Sequence, residues 1–463
     1  MFSLLLSMGL RKGMEDKKFW GYKKMKKHFW KAFVLLTAMM FILSACSGGK
    51  SSAGVDALSA EAPDEELSGE ITVASWNTAA DALTETAEGF MKKYPNTKIN
   101  IEYVTSDYNS ITPPLTSGKG APDIVQVQQR DFPNFMEVFE GQFVDLTDRL
   151  GDHANEFAEV ALNLTKDSDG KIMALPWDLG PVAVYYRKDF FENAGVDPAS
   201  ITTWDKYIEA GLKIQEANEG VSMVSLSLNS DDVVELYRMM LNQLGGQYYD
   251  EDGKIKFASD ESIQSAEMFK KIVDAGIVLD APTWDDRIRT FVNNQVATTI
   301  YPVWYAGTIK NQAADQKGKW GLMPMPAFTE GGPNQSHSGG SVLAITTQSE
   351  NPELAWAFME YTLMTNEGED VQMKYGLFPS WQPYYETENF KAVDDYFGVA
   401  LSEFFGQLST DIPPIDYGAH FLDVNSALIG AMNDILEGKD TVEAFKAAEE
   451  TAARDTGLEI SGQ

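Results

Sequence analysis

Between Ile71 and Val127 the apolar residues change period repeatedly, and this alternation restricts the fold more than any other feature of the chain. Ile71-Thr72-Val73-Ala74-Ser75-Trp76 is a short β-rich run, after which Leu83, Ala87, Phe90 and Tyr94 recur at helical spacing until Pro95-Asn96. Ile99, Ile101 and Tyr103 then alternate as a strand, and Gly118-Lys119-Gly120-Ala121-Pro122 turns into another at residues 123–127. Strands separated by helices predict an α/β sheet with crossover connections. Farther on, residues 182–186 read as a strand. Asn351-Pro352 opens a helix whose Leu354, Phe358 and Thr362 share an apolar face with Ala355, Met359 and Leu363, and two more helices around 421–436 and 441–454 follow. A chain of 463 residues exceeds one ordinary core, so two domains are expected.

The N-terminus has a different character. Lys17, Lys18, Lys23, Lys24, Lys26, Lys27 and Lys31 precede an apolar run over 32–43 that ends in Leu43-Ser44-Ala45-Cys46. A basic segment, an apolar segment shorter than the ~20 residues of a spanning helix, and small residues at its end predict a secretory signal over 1–45. Leu-Ser-Ala-Cys resembles the lipobox of bacterial lipoproteins, which implies cleavage before Cys46, a diacyl-type anchor on its thiol and residence on the outer face of the cell membrane. One acyl chain alone would hold a protein only marginally. Met25-Lys26-Lys27 is a more usual start for such a signal, so residues 1–24 read as an over-extended beginning. Cys46 is the single cysteine, which excludes intrachain disulfides, thiolate metal sites and a cysteine nucleophile in the body. Residues 47–68 are small, polar and acidic, the composition of a flexible tether.

A formal charge of −32 excludes nucleic acid as a partner and disfavours an anionic ligand. No cofactor is expected. Gly118-Lys119-Gly120 lacks a third glycine and precedes a strand, and Asp250-Glu251-Asp252-Gly253 reads as a hairpin turn rather than a calcium loop. The chain has no Gly-x-Ser-x-Gly and no His-Glu-x-x-His, so it is read as a non-enzyme. A glycoside hydrolase, built on two carboxylates, is the enzymatic alternative.

Several segments, in order, resemble the extracellular solute-binding protein family of ABC importers, in its sugar-binding, maltose-binding-protein-like branch. They are Phe90-Met91-Lys92-Lys93-Tyr94-Pro95, Ala121-Pro122-Asp123-Ile124-Val125, Ala174-Leu175-Pro176-Trp177-Asp178, Val184-Tyr185-Tyr186-Arg187-Lys188-Asp189-Phe190-Phe191, Ala194-Gly195-Val196, Thr203-Trp204-Asp205, the stretch 291–304, Leu322-Met323-Pro324-Met325-Pro326, Gly339-Gly340-Ser341 and Ala355-Trp356-Ala357-Phe358. The pattern departs from maltose binding at Arg130-Asp131 and Gly180. The resemblance implies a two-lobed, periplasmic-binding-protein-like α/β clamp, each lobe a mixed sheet flanked by helices and discontinuous in sequence. The lobes are placed at 69–181 plus 323–377 and at 182–322 plus 378–463, with hinges near Gly180-Pro181, Met323-Pro324 and Leu377-Phe378. It also implies a monomer that hands a neutral sugar or oligosaccharide to the permease subunits of the importer.

A sugar offers a flat C–H face and a rim of hydroxyls, so its receptor needs aromatic platforms with carboxylates and amides around them. Trp177 and Asp178 supply both types side by side, and Trp304 matches the family's stacking aromatic. Trp76 and Asn77 end the first strand, at the carboxyl edge where α/β sheets collect ligands. Gln128 and Asp131 follow the 123–127 strand toward the same edge, whereas Asp123 is read as fixing local backbone. Gly339 and Gly340 could admit close backbone approach, and Trp381 lies near a family binding loop. Trp204 and Trp356 read as structural. A different cargo, ferric ion, is suggested by the pairs Tyr185-Tyr186, Tyr248-Tyr249 and Tyr384-Tyr385, since related iron clamps use adjacent phenolates.

Overall fold

The computed structural model describes residues 55–60 and 66–462. The signal segment and Cys46 lie outside the described residues. Among these residues no helix is long and apolar enough to cross a membrane.

Two five-stranded sheets organise the body. The first has the order β2-β1-β3-β11-β4, from β1 (Gly69–Ser75), β2 (Thr97–Tyr103), β3 (Ile124–Gln128), β4 (Leu175–Pro176) and β11 (Ser341–Ile345). β1 runs parallel to both β2 and β3, while β11 is antiparallel to β3 and β4. The expected helix spans Asn77–Lys93 and buries Leu83, Ala87 and Phe90, so its apolar stripe does what its spacing requires. Asp123 fixes backbone: its Oδ2 accepts the Thr72 N–H at 2.9 Å and its Oδ1 accepts the Ser349 hydroxyl.

The second sheet has the order β10-β6-β9-β7-β8, from β6 (Val182–Arg187), β7 (Ser222–Leu226), β8 (Val278–Asp280), β9 (Val296–Pro302) and β10 (Trp320–Pro324). β9 is buried along its whole length. Strands buried on both faces lose the alternation that marks a half-exposed strand. The closing helices Phe421–Leu436 and Thr441–Thr456 pack on this sheet's core through Phe421, Val424, Leu428 and Phe445.

Between the sheets, β5 (Asp178–Leu179) pairs with β12 (Phe378–Pro379), and Pro181 bridges His337. One expectation changes here. Met323-Pro324 is bonded into the second sheet opposite Val184 and Ala183, so the chain leaves that sheet after Pro324. The crossing backbone is instead the stretch at 336–340, where the Val182 N–H donates to Ser336 O and the Ser338 N–H to Gly180 O, both at 2.9 Å.

Candidate ligand cleft

At the carboxyl edge of the first sheet, Tyr108 gathers three of the expected residues. Its ring meets Trp76 edge-on, with centroids 5.7 Å apart at 77°. Its hydroxyl donates to Asp131 Oδ2 at 2.7 Å and accepts the Gln128 N–H at 3.1 Å. Burial, with the Asp131 carboxylate beside it, drives the phenol well above its ordinary range, so it stays a donor. Asp131 is buried, with Arg130 Nε 3.6 Å from Oδ1. Asn77 lies exposed at the head of its helix with φ +51°, the left-handed region that asparagine tolerates better than most side chains. Tyr108 itself has φ +60°. Sequence reasoning missed it; the available signal was its place in the turn-forming string Asp107-Tyr108-Asn109, where Asp107 Oδ1 accepts the Asn109 N–H. Gln126 was missed as well. Its Oε1 takes the Ser75 hydroxyl and the Trp76 N–H, and its Nε2 donates to Ser341, so it ties β1 to β11 beneath the site.

On the second sheet's side stands an aromatic wall. Trp304 is half-buried just beyond β9, with its centroid 6.0 Å from Trp284, 6.0 Å from Tyr301 and 6.1 Å from Tyr305. Trp284 keeps 37% of its surface exposed, which marks it as available for contact although sequence reasoning did not select it. The Trp304 Nε1–H donates to Ser338 O at 3.3 Å.

The two glycines sit where the crossing backbone passes this wall. Gly339 and Gly340 have φ +82° and +91°. A Cβ at Gly339 would lie 3.0 Å from Trp304 Nε1, and one at Gly340 would lie 2.5 Å from Asp178 O. Their small size therefore serves close packing of protein on protein, which a sugar contact was not needed to explain.

Three expected contacts are placed elsewhere. Trp177 is 1% exposed within the first sheet's core, its indole N–H donating to Gln372 Oε1 at 3.0 Å, so its ring is used for packing and offers no free platform. Asp178 is also buried: its Oδ1 accepts the Ser341 N–H at 2.8 Å and burial pushes its carboxyl up to about 7. That geometry describes a strap between β5 and β11 rather than an open acceptor for hydroxyls. Trp381 donates its indole N–H to Glu156 Oε2 at 2.8 Å and packs against the cores on both sides of the β5-β12 pair.

Two of the tyrosine pairs do not converge on a common point. Tyr185 donates within the core to Pro302 O at 2.9 Å, and its neighbour Tyr186 packs on the other face of the strand. Tyr384 and Tyr385 donate apart, to Asp370 and Pro379 O. Asp250–Gly253 is a hairpin turn, closed by Asp250 N to Lys254 O at 2.9 Å.

Both sides of the cleft touch at its rim. Asn134, in the helix Phe132–Val138, donates its Nδ2–H to Ala419 O at 2.5 Å, and His420 Nε2 lies 3.9 Å from Glu137 Oε1. Tryptophan, tyrosine, carboxylate and guanidinium groups thus stand on the two sides, and the halves meet through Asn134 and Ala419.

Comparison with known proteins agrees with this geometry. Residues 73–369 match the model of the bacterial extracellular solute-binding protein family. A lactose-binding protein of Rhizobium radiobacter is 28% identical over 400 residues, covering 84% of this chain and 93% of that one. An arabinooligosaccharide-binding protein of Bacillus subtilis is 28% identical over 346 residues, covering 72% and 76%. Among solved structures, an ABC transporter associated binding protein from B. animalis subsp. lactis in complex with β-1,6-galactobiose has a TM-score of 0.69 at 26% identity, covering 85% of this chain and all of that one. These relatives are binding proteins. The chain, a two-lobed α/β clamp, belongs to the bacterial extracellular solute-binding protein family.

Proposed function

We propose that this chain is the substrate-binding lipoprotein of an ABC importer, which captures a neutral sugar or oligosaccharide between its lobes and delivers it to the permease. The observation that carries this reading is the pairing of the Trp304–Trp284 wall on one side with the Trp76–Tyr108–Asp131 group on the other. Rings give the C–H face of a sugar a surface, and the polar groups give its hydroxyls partners. The relatives named for lactose and arabinooligosaccharides, and the galactobiose complex, support the same class of cargo. We take the ligand contacts to be Trp76, Asn77, Gln128, Asp131 and Trp304, with Gly339 and Gly340 shaping the floor. The lobes turn about the backbone at 179–181, 336–340 and 377–378. The protein acts as a monomer, held on the outer face of the membrane through a lipid on Cys46.

A thermal-shift screen of lactose, β-1,6-galactobiose and arabino-oligosaccharides tests the reading. A true ligand at 100 times its dissociation constant adds about 2.7 kcal/mol, a shift of a few degrees. No shift with any of them, and product formation instead, would replace a carrier with a hydrolase. For the anchor, Cys46→Ser should abolish membrane retention of the processed protein; retention at the level of the unaltered chain would contradict the lipoprotein assignment.

A further inference from the structure

Beside the aromatic wall the second lobe holds a carboxylate that the fold orients and leaves half free. Glu235 opens the helix Glu235–Gln243. Its Oε2 accepts the Tyr301 hydroxyl at 3.0 Å and lies 3.8 Å from Arg287 Nη2, which is itself 2.8 Å from Asp232 Oδ2. Among the described residues no hydrogen bond engages Glu235 Oε1, and 25% of the side chain remains exposed. Arg287 is only 3% exposed, its Nε and Nη1 are buried without partners, and its guanidinium carbon lies 5.9 Å from the Trp284 ring centroid.

The helix that carries Glu235 has polar side chains that reach toward the other lobe's charges and the crossing backbone. One turn along it, Arg238 donates to Asn425 at 2.7 Å and stands in the field of Arg130 from the first lobe. Among the described residues no carboxylate lies within 4.0 Å of Arg238, whereas each of the other described arginines has one. Two turns along, Asn242 Oδ1 accepts the His337 N–H at 2.9 Å, so the helix runs beside the crossing backbone that brings Gly339 to Trp304. Glu235 is thus linked to Trp304 through Tyr301, while Arg238, one turn along the same helix, feels the charge of Arg130 from the first lobe.

We propose that Glu235 is the second lobe's acceptor for two neighbouring hydroxyls of a sugar ring seated on Trp304 and Trp284, and that Arg287 is a positioning residue for this carboxylate. The proposal rests on the sugar-binding reading above. An ionised carboxylate only accepts, so it can take two vicinal hydroxyl donors in charge-assisted bonds; once protonated it loses that capacity. Burial pushes the Glu235 carboxyl up, and Asp232 pushes it the same way. Arg287 opposes them most, followed by Arg238 and the Tyr301 hydroxyl, with Tyr305 the remaining titratable group facing it. Without Arg287, the balance moves further toward the protonated acid, and affinity becomes more pH-dependent.

Calorimetric titration of the full chain with lactose, β-1,6-galactobiose and arabinotriose, at about pH 6 and about pH 8.5, tests this. The unaltered protein should bind at least one of them, with a smaller difference between the two pH values than Arg287→Met shows. Glu235→Gln should weaken that binding by about thirtyfold or more. Arg287→Met should bind about tenfold more weakly at the lower pH than at the higher, and Arg287→Lys should restore the profile of the unaltered protein. Glu235→Gln within about threefold of the unaltered protein, or an Arg287→Met loss that is equal at both pH values, overturns the proposal alone. Failure of the unaltered protein to bind any of the three sugars overturns the sugar reading and the proposal with it.

Discussion

Asp178 shows how far residue type can be read without its surroundings. Trp177 and Asp178 together have the composition of a sugar site, yet their neighbours Gln372 and Ser341 are remote in sequence and commit both side chains to the protein itself. Trp304 presents the same indole and remains half-buried beside Trp284, whereas Trp177 is buried, and the local sequence does not distinguish the two. Asp178 makes a separate prediction. Its carboxyl is raised from 3.8 to about 7 chiefly by burial. As pH rises from about 4 to about 7, the unfolded chain releases this proton while the folded one keeps it, so the folded state loses stability across that window. Asp178→Asn should remove the loss, raising the melting temperature above about pH 7 by an amount worth up to a few kcal/mol and leaving it little changed near about pH 3. An equal change at both ends of a pH series of melting curves would contradict burial as the cause. Trp304→Ala should weaken sugar binding by about 2 kcal/mol, roughly thirtyfold in a titration, through lost ring contact; unchanged affinity would take Trp304 out of the site.

Among the elements, those with a strong period were legible. The strands β1, β2, β3 and β6 lie within a residue or two of where spacing put them, whereas the helix Asn77–Lys93 begins well before Leu83, where its apolar period was read. The two-residue strands β4, β5 and β12 were not legible, because so short a strand is defined by its partner, and β5 pairs with the remote residues Phe378 and Pro379. The crossing backbone at 336–340 was missed for a related reason. Met323-Pro324 reads as a hinge, but the strand is held by its register with β6 as far as Pro324. Gly340→Ala tests the reading of that crossing: a Cβ 2.5 Å from Asp178 O, at a φ of +91°, meets backbone that cannot yield. We expect a loss of about 2 kcal/mol or more in chemical denaturation. Full stability in this variant would mean that the crossing is not tightly packed.

The two lobes of the whole molecule are held by crossing backbone and by contacts at the cleft rim. Asn134→Ala removes the bond to Ala419 and should shift the balance toward the open form, weakening sugar affinity by about fivefold through faster release while leaving melting of the sugar-free protein nearly unchanged. A ligand closes such a clamp only as far as it binds the closed form better, and contacts reaching it from both lobes provide that difference. In the proposed site Trp304 and Trp284 would act from one side and Trp76 with Asp131 from the other. The overall acidity of the chain adds little to this choice, since charges beyond about 8 Å are screened at physiological salt. The central claim, that sugar binding closes the two lobes on each other, is tested most directly by solution X-ray scattering of the full chain with and without a sugar shown to bind it. The account predicts a smaller radius of gyration with sugar, smaller still relative to the free form in Asn134→Ala; superimposed curves at saturating sugar would contradict it.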